Sequence, residues 1–191
     1  MIAAALAGGE SKRFGGDKLL YSLGGKPIIL YTIERLLSSS TIEEVVIVCG
    51  EDKRARYERL GFRVIVDELK VGPAGGVLTA LKELGDVFIA GGDMPLINPK
   101  FVDLVVKRFY EDKCVVCVPQ WSNGYLEPLH AAYSKSFARV LERRIGKGDY
   151  SLNGAIREIN FCGIDVELLP GEFRDGLFNI NRKSDLKKLL G

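Results

Sequence analysis

The chain has 191 residues, 47% of them hydrophobic, which suits one compact domain over residues 1–191 with a sizeable core and argues against disorder. A net charge of +2 does not suit a nucleic-acid binder, whose domains carry a clear basic excess. The apolar runs are too short to span a bilayer and no basic stretch precedes the apolar start at Ile2, so neither a membrane partner nor a secretory signal is expected and the sequence reads as cytoplasmic.

In chain order, an apolar run at 2–6 predicts a strand, and a glycine-rich basic stretch, LAGGESKRFGGDK, follows it from Leu6 to Lys18. KPIILYTIERLLSSS then predicts a helix with Pro27 at its first position and Ile29, Ile33, Leu36 and Leu37 on one face. Further strands are predicted at 45–49, 64–66, 87–90, 114–118, 129–133 and 178–180, several apolar at consecutive positions as in strands covered on both faces. Helical patterns fall between many of them, at 52–60, 75–84, 134–144, 151–159 and 184–190, and in NPKFVDLVVKRFYED, where Asn98 caps and Pro99 follows. Strands alternating with helices predict an α/β fold with a mostly parallel twisted sheet, and Asn123-Gly124 marks one antiparallel excursion near residues 121–125. Cys114 and Cys117 form a C-x-x-C, but residues three apart on a strand face opposite ways, so both are expected to be small buried hydrophobes and not metal ligands. Gln120 is the one glutamine in a chain rich in Lys, Arg and Glu, a bias shared with thermophilic proteins.

In open α/β sheets ligands bind beyond the carboxyl ends of the strands. Gly8 to Lys18, Asp67, and Gly92-Asp93-Met94 all stand just after predicted strands. The first stretch is neither a Walker A loop, since Gly16 is followed by Asp17, Lys18 and Leu19, nor a Rossmann fingerprint, since Gly8, Gly9, Gly15 and Gly16 have the wrong spacing. Its chemistry still suits phosphate. Glycines let backbone N–H groups approach an anion, Ser11 adds a hydroxyl, Arg13 can fork two hydrogen bonds to phosphate oxygens, and Lys18 adds a point charge. A surface loop with solvated cations is the competing reading. Asp93 at a strand end offers the single carboxylate that Mg²⁺ accepts beside phosphates and waters, against a plain turn-capping role. Asp17 is assigned no chemistry. His130 is the only histidine and lies in an apolar strand, so it reads as structural.

LAGGESKRFGGDK resembles the L-x-G-G-x-S-x-R-M-G-x-D-K signature of the nucleotidyltransferases related to molybdenum cofactor guanylyltransferase, with Phe14 in place of Met. DELKVGPAGGVLTAL (Asp67 to Leu81) resembles the family's D-x(n)-G-P-L-x-G segment, with Ala74 in place of Leu. IAGGDMPLINP (Ile89 to Pro99) resembles its D-M-P-[FL] motif, GYLEPLHAAY (Gly124 to Tyr133) its G-x-x-[QH]-P-L-x-A-L-Y segment with Glu127 in place of Gln or His, and FNINRKSDL (Phe178 to Leu186) its F-x-N-[IV]-N-T-P-x-D-L end with Arg182-Lys183 in place of Thr-Pro.

The resemblance implies a three-layer Rossmann-like fold and catalytic roles for Arg13, Lys18 and Asp93. It also implies a nucleotide site at Leu6, Ala7, Gly8, Gly9, Ser11, Arg13, Lys18, Asp67, Gly72, Pro73 and Asp93, Mg²⁺ on Asp93, and acceptor contacts from Pro128, Asn179 and Asn181. The implied reaction transfers GMP from GTP to the terminal phosphate of molybdopterin and releases pyrophosphate; the L-A-G-G opening resembles the guanylyltransferase branch more than the cytidylyltransferase branch. Alternatives are a sister enzyme using CTP or acting on phospholactate, cobinamide phosphate or a sugar phosphate, a nucleotide-binding regulatory module without turnover, and a Rossmann oxidoreductase, which the missing fingerprint disfavours.

Overall fold

The computed structural model describes residues 1–9 and 16–186. Its elements in chain order are β1 (Ile2–Leu6), a small hairpin of β2 (Ser22–Leu23) and β3 (Lys26–Pro27), α1 (Ile28–Leu37), β4 (Glu44–Cys49), α2 (Glu51–Glu58), β5 (Val64–Val66), α3 (Pro73–Leu84), β6 (Val87–Gly91), α4 (Pro99–Glu111), β7 (Val116–Gln120), β8 (His130–Tyr133), α5 (Ala138–Ile145), α6 (Leu152–Arg157), β9 (Cys162–Asp165) and α7 (Gly171–Asp175), with short 3-10 turns between some of them. Seven strands form one sheet in the order β5-β4-β1-β6-β8-β7-β9. All pairings are parallel except those of β8 with β6 and with β7, so β8 alone runs against the rest.

Period-two alternation divides the core into two layers. Ala3, Ala5 and Ala7 of the first strand segment, with Ile47 and Phe88, face Ile29, Ile33 and Leu36 of α1 and Phe101, Val102 and Val105 of α4. Ala4 and Leu6, with Val46, Val48 and Ile89, face Ala74, Val77 and Leu81 of α3 and the apolar residues of α5 and α6. Covering both faces is why β1, β4 and β6 are apolar at nearly every position. The α/β reading and the mostly parallel sheet with one antiparallel excursion are therefore observed. No helix among the described residues is long and apolar enough to cross a membrane.

Six of the seven predicted strands are present, with shifts of a residue or two. Asn98 caps α4 by accepting from the amides of Lys100 and Phe101. Pro27 ends β3 and stands just before α1, one place earlier than expected. The turn at Asn123-Gly124 is formed, with Gly124 at φ +81° and the Trp121 amide donating to the Tyr125 carbonyl at 2.8 Å. Segment 178–180 is not a strand: the Ile180 amide donates to the Asp93 carbonyl at 2.9 Å, and the segment crosses the edge of the sheet. The seventh strand is β9, which pairs only with β7 and buries only Ile164 deeply, so its Cys-Gly-Ile-Asp sequence carries no apolar run to announce it. Residues 187–190 of the last predicted helix lie outside the described residues, and 183–186 form a 3-10 turn.

Of the two cysteines expected to be small buried hydrophobes, one differs. Cys114 precedes β7 instead of opening it, and it forms a disulfide with Cys162 across 48 residues. Cys117 and Cys49 are free and buried, and burial pushes their thiols up to about 12 and about 11, which leaves them unreactive. His130 is structural, as expected. Its ring stacks at 4.5 Å on Phe101 and meets Phe88 edge-on at 5.3 Å, and neither nitrogen has a hydrogen-bond partner among the described residues.

Burial lowers the His130 pKa to about 3, so the folded state keeps the ring neutral while the unfolded chain takes up a proton below about 6.5. Unfolding then binds a proton between those values, and stability falls as the pH falls through that window by at most about 1.4 kcal/mol per pH unit. Denaturant melts of wild type and His130→Leu from pH 7 to pH 4 are expected to diverge with that slope; parallel acid limbs would remove His130 as the cause. The disulfide closes a loop whose chain entropy is worth about 4 kcal/mol. Changing Cys114 and Cys162 together to Ser is expected to lower the melting temperature to that of the fully reduced wild type, and an unchanged melting curve would show that the bridge contributes nothing.

Candidate active site at the carboxyl edge of the sheet

The sheet order reverses beside β1: the chain moves from β1 to β4 and β5 on one side, then returns to β6 on the other. A crevice opens at the carboxyl ends of strands at such a switch point. Here it is a cleft of about 530 Å³, lined by Leu6, Ala7, Gly8 and Gly9 after β1, Asp67 after β5, Gly72 and Pro73 at the start of α3, and Asp93 after β6. Lys18, Lys53 and Asn181 also stand in its wall.

Close backbone packing positions Asp93. The Gly92 amide donates to the Leu6 carbonyl at 3.0 Å, and Thr32 of α1 donates its hydroxyl to the Gly92 carbonyl at 3.1 Å. A Cβ at Gly92 would stand 2.9 Å from the Leu6 oxygen, so only glycine allows this approach. The Asp93 carboxylate then receives Lys18 Nζ on Oδ2 at 2.6 Å, and the same ammonium donates to the Ile180 carbonyl at 2.5 Å. Since the Ile180 amide returns a bond to the Asp93 carbonyl, Lys18, Asp93 and Ile180 close a three-cornered clamp. The clamp holds segment 178–181 across the cleft mouth and fixes where Asn179 and Asn181 begin.

Helix α2 ties down both ends of the glycine-rich stretch. Lys53 Nζ donates to the Gly9 carbonyl at 2.7 Å, and Tyr57 donates its hydroxyl to Asp17 at 3.0 Å. Asp17 also accepts from the Leu19 amide at 3.2 Å and lies 3.8 Å from Lys53. Burial beside the Asp17 carboxylate raises the Tyr57 pKa far above the ordinary phenol range, so the hydroxyl stays a donor. Asp17 is thus an anchor of the loop. Asp67 accepts from the Leu69 amide at 3.0 Å and the Thr79 hydroxyl at 3.3 Å, and Gly75 of α3 packs against its carboxylate, where a Cβ would come within 2.9 Å.

A second cavity, of about 370 Å³, adjoins the first and shares Pro73, Asp93, Leu129 and Asn181 with it. Glu127, Pro128, Tyr125, Tyr150, Asn153 and Asn179 stand among its remaining walls. It lies at the same edge because β8 is antiparallel: the segment entering β8 arrives where the other strands leave, and the Gly91 amide donates to the Leu129 carbonyl at 3.0 Å.

The sequence of residues 3–160 matches the MobA-like NTP transferase domain. The chain belongs to that family. A protein of Thermococcus sibiricus named "Probable molybdenum cofactor guanylyltransferase" is 58% identical over 191 residues, covering 100% of this chain and 98% of its own. One of the same name from Pyrococcus horikoshii is 53% identical over 187 residues, covering 97% of each chain. Among solved structures, molybdopterin-guanine dinucleotide biosynthesis protein A of Archaeoglobus fulgidus superposes with a TM-score of 0.85 at 31% identity, covering 98% of this chain and 96% of that one.

Of the residues singled out in this MobA-like chain, Leu6, Ala7, Gly8, Gly9, Lys18, Asp67, Gly72, Pro73 and Asp93 meet at the first cavity, and Pro128, Asn179 and Asn181 at the second. Ser11 and Arg13 lie outside the described residues. Sequence reading missed Lys53, although it stands in the first turn of α2, just after β4, where the strand-end rule points. It also missed Tyr57 and Thr79, whose anchoring partners are distant in sequence, and the paired tyrosines of the second cavity. Among the described residues the one cluster of three groups able to hold a metal is Asp112, Cys114 and Cys162, far from this chemistry, and its two sulfurs are bonded to each other.

Proposed function

We propose that the protein transfers the GMP unit of GTP to the terminal phosphate of molybdopterin and releases pyrophosphate. One observation carries the reading: two cavities, one bounded by a glycine-rich phosphate stretch and Lys18, the other by Asn179 and Pro128, meet at Asp93. That geometry suits a reaction joining two substrates through phosphorus.

In this reading an oxygen of the acceptor phosphate attacks the α-phosphorus of GTP. A new P–O bond forms, the bond from the α-phosphorus to the bridging oxygen breaks, and pyrophosphate leaves with the electron pair. The acceptor phosphate has a second pKa of about 6, is mostly dianionic at neutral pH, and needs no general base. A site without an available histidine agrees, since His130 is enclosed in the core. The chain's task is positioning and charge neutralisation. Gly8 and Gly9 expose backbone to the phosphates, Lys18 supplies positive charge, Arg13 is assigned the same role, and Asp67 meets the nucleoside side of the cleft. Asn179 and Asn181 orient the acceptor phosphate.

Magnesium fits this donor set. Mg²⁺ takes one or two carboxylates beside phosphates and waters, and Asp93 offers Oδ1 while Oδ2 meets Lys18. Bound there, it would draw charge from the phosphate oxygens; Asp93 would hold it and Lys18 would lock the Asp93 rotamer. A cytoplasmic location belongs to the same reading.

Two measurements test the reading. Calorimetric titration with Mg²⁺ is expected to show GTP binding at least tenfold tighter than CTP, because a wrong base leaves buried polar groups unpaired; equal or tighter CTP binding would transfer the protein to another branch of the family. In steady-state assays of pyrophosphate release with molybdopterin, Lys18→Ala is expected to lower kcat by roughly a hundredfold and raise the GTP KM. Asp93→Asn is expected to lose turnover most severely at low Mg²⁺ while keeping a near-normal melting curve. Wild-type rates for Asp93→Asn at low Mg²⁺ would end its assignment as the metal carboxylate.

A further inference from the structure

The second cavity has an unusual charge balance for a site that receives a phosphate ester. Its described walls hold two carboxylates, Asp93 and Glu127, and neither lysine nor arginine. The described lysines of the region, Lys18 and Lys53, belong to the first cavity, and Lys18 reaches Asp93 at the junction. An anion therefore has its place at the junction, and the depth of the second cavity suits a neutral group rich in N–H donors.

Glu127 is built to meet such a group. Its backbone is fixed from both sides: its amide donates to the Pro119 carbonyl at 3.0 Å and its carbonyl accepts from the His130 amide at 3.0 Å. Its carboxylate accepts from Trp121 Nε1 on Oε1 at 2.7 Å, a bond across the turn at Asn123-Gly124 that holds the side chain in one orientation. A carboxylate has about four acceptor sites, and one indole N–H leaves the others to be satisfied. Burial raises the Glu127 pKa and the Trp121 bond only partly offsets this, so two further N–H donors would relieve a half-buried acceptor. At the rim stand Tyr125 and Tyr150, about half exposed, two large aromatic surfaces at a cavity wall and not in the core. A flat heterocycle stacks on such rings.

We propose that Glu127 determines acceptor specificity, its carboxylate taking the adjacent ring N–H and exocyclic amino donors of an aminopyrimidinone ring laid against Tyr125 and Tyr150. The inference rests on the proposed use of a pterin acceptor and names the residue that reads its ring. The phosphate end of the acceptor then extends to Asn181 and Asp93, where both cavities open. An amide at position 127 presents one acceptor and one donor in place of two acceptors, so it cannot take both N–H groups at once.

The test compares pterin with lumazine, in which an oxo group replaces the exocyclic amino group and turns a donor into an acceptor facing Glu127. Quenching of ligand fluorescence by the full chain is expected to give at least tenfold tighter binding of pterin than of lumazine. Glu127→Gln, which keeps an acceptor for Trp121, is expected to reduce that preference to threefold or less, and Glu127→Leu to abolish it, with melting curves and GTP affinity near wild type. In turnover, Glu127→Gln is expected to raise the molybdopterin KM with the GTP KM unchanged. Equal binding of the two pteridines by wild type, failure of both to bind, or a preference retained in the variants overturns the inference. Wild-type transfer of GMP to molybdopterin without any pterin preference would overturn the Glu127 assignment alone, whereas pterin preference without transfer would overturn the reaction and leave the pocket standing.

Discussion

The bond from Lys18 to Asp93 organises the carboxyl edge of the sheet. It joins groups 75 residues apart, and the same ammonium reaches the Ile180 carbonyl across 162 residues. Three chain segments that could each wander are thereby held within hydrogen-bond distance of one cation. The side chains of Lys18 and Asp93 are 16% and 20% exposed, so the pair is neither freely solvated nor sealed in a dry core. That intermediate position suits an electrostatic site: water screens the pair less than at an open surface, while the full desolvation cost of burial is avoided.

The rest of the edge is arranged around that pair by short backbone contacts more than by side-chain packing. Gly92 approaches Leu6 closely enough to bond β1 to the turn after β6, and Thr32 reaches the same turn from α1. Helix α2 holds the Gly9 carbonyl through Lys53 and Asp17 through Tyr57, so the two ends of the phosphate stretch are fixed from one rigid element. The Cys114–Cys162 bridge lies away from this edge and ties β9 to the segment before β7. Disulfides are rare in cytosolic proteins, with the intracellular proteins of hyperthermophiles as the main exception.

The legible parts of the sequence were those where one segment contains all of its own chemistry. Glycines and a cation stand close together at Gly8, Gly9 and Lys18, a strand-end carboxylate stands in Gly-Gly-Asp-Met-Pro, and all of them line the first cavity. The strands of the core announce themselves because both faces are covered and nearly every position is apolar. The illegible parts depend on encounters between segments. Lys53 matters because Gly9 lies beneath it, 44 residues away, and the Cys114–Cys162 bond joins residues 48 apart, although the register sets Cys117 opposite Cys162. Phe178 to Asn181 alternates apolar and polar residues as an exposed strand would, yet no strand edge receives it; its backbone bonds instead to Asp93. The family resemblance singled out Asn179 and Asn181, which line the second cavity, although periodicity misread their conformation.

The antiparallel strand explains why a single sheet edge carries two adjoining cavities. In a purely parallel sheet each strand contributes its carboxyl end and the loop that leaves it. Here β8 reverses, so the segment preceding it, Tyr125 to Leu129, enters at the edge where β1, β5 and β6 exit. The loops that leave the parallel strands carry the glycines, Lys18, Asp67 and Asp93 of the first cavity. The segment that enters β8 carries Glu127 and Pro128 of the second. Because β8 lies directly beside β6, these two sets of residues meet at Asp93 and Leu129, and the distance between the cavities is set by neighbouring strands about 5 Å apart. One reversed strand thus places the wall of the second cavity beside the wall of the first.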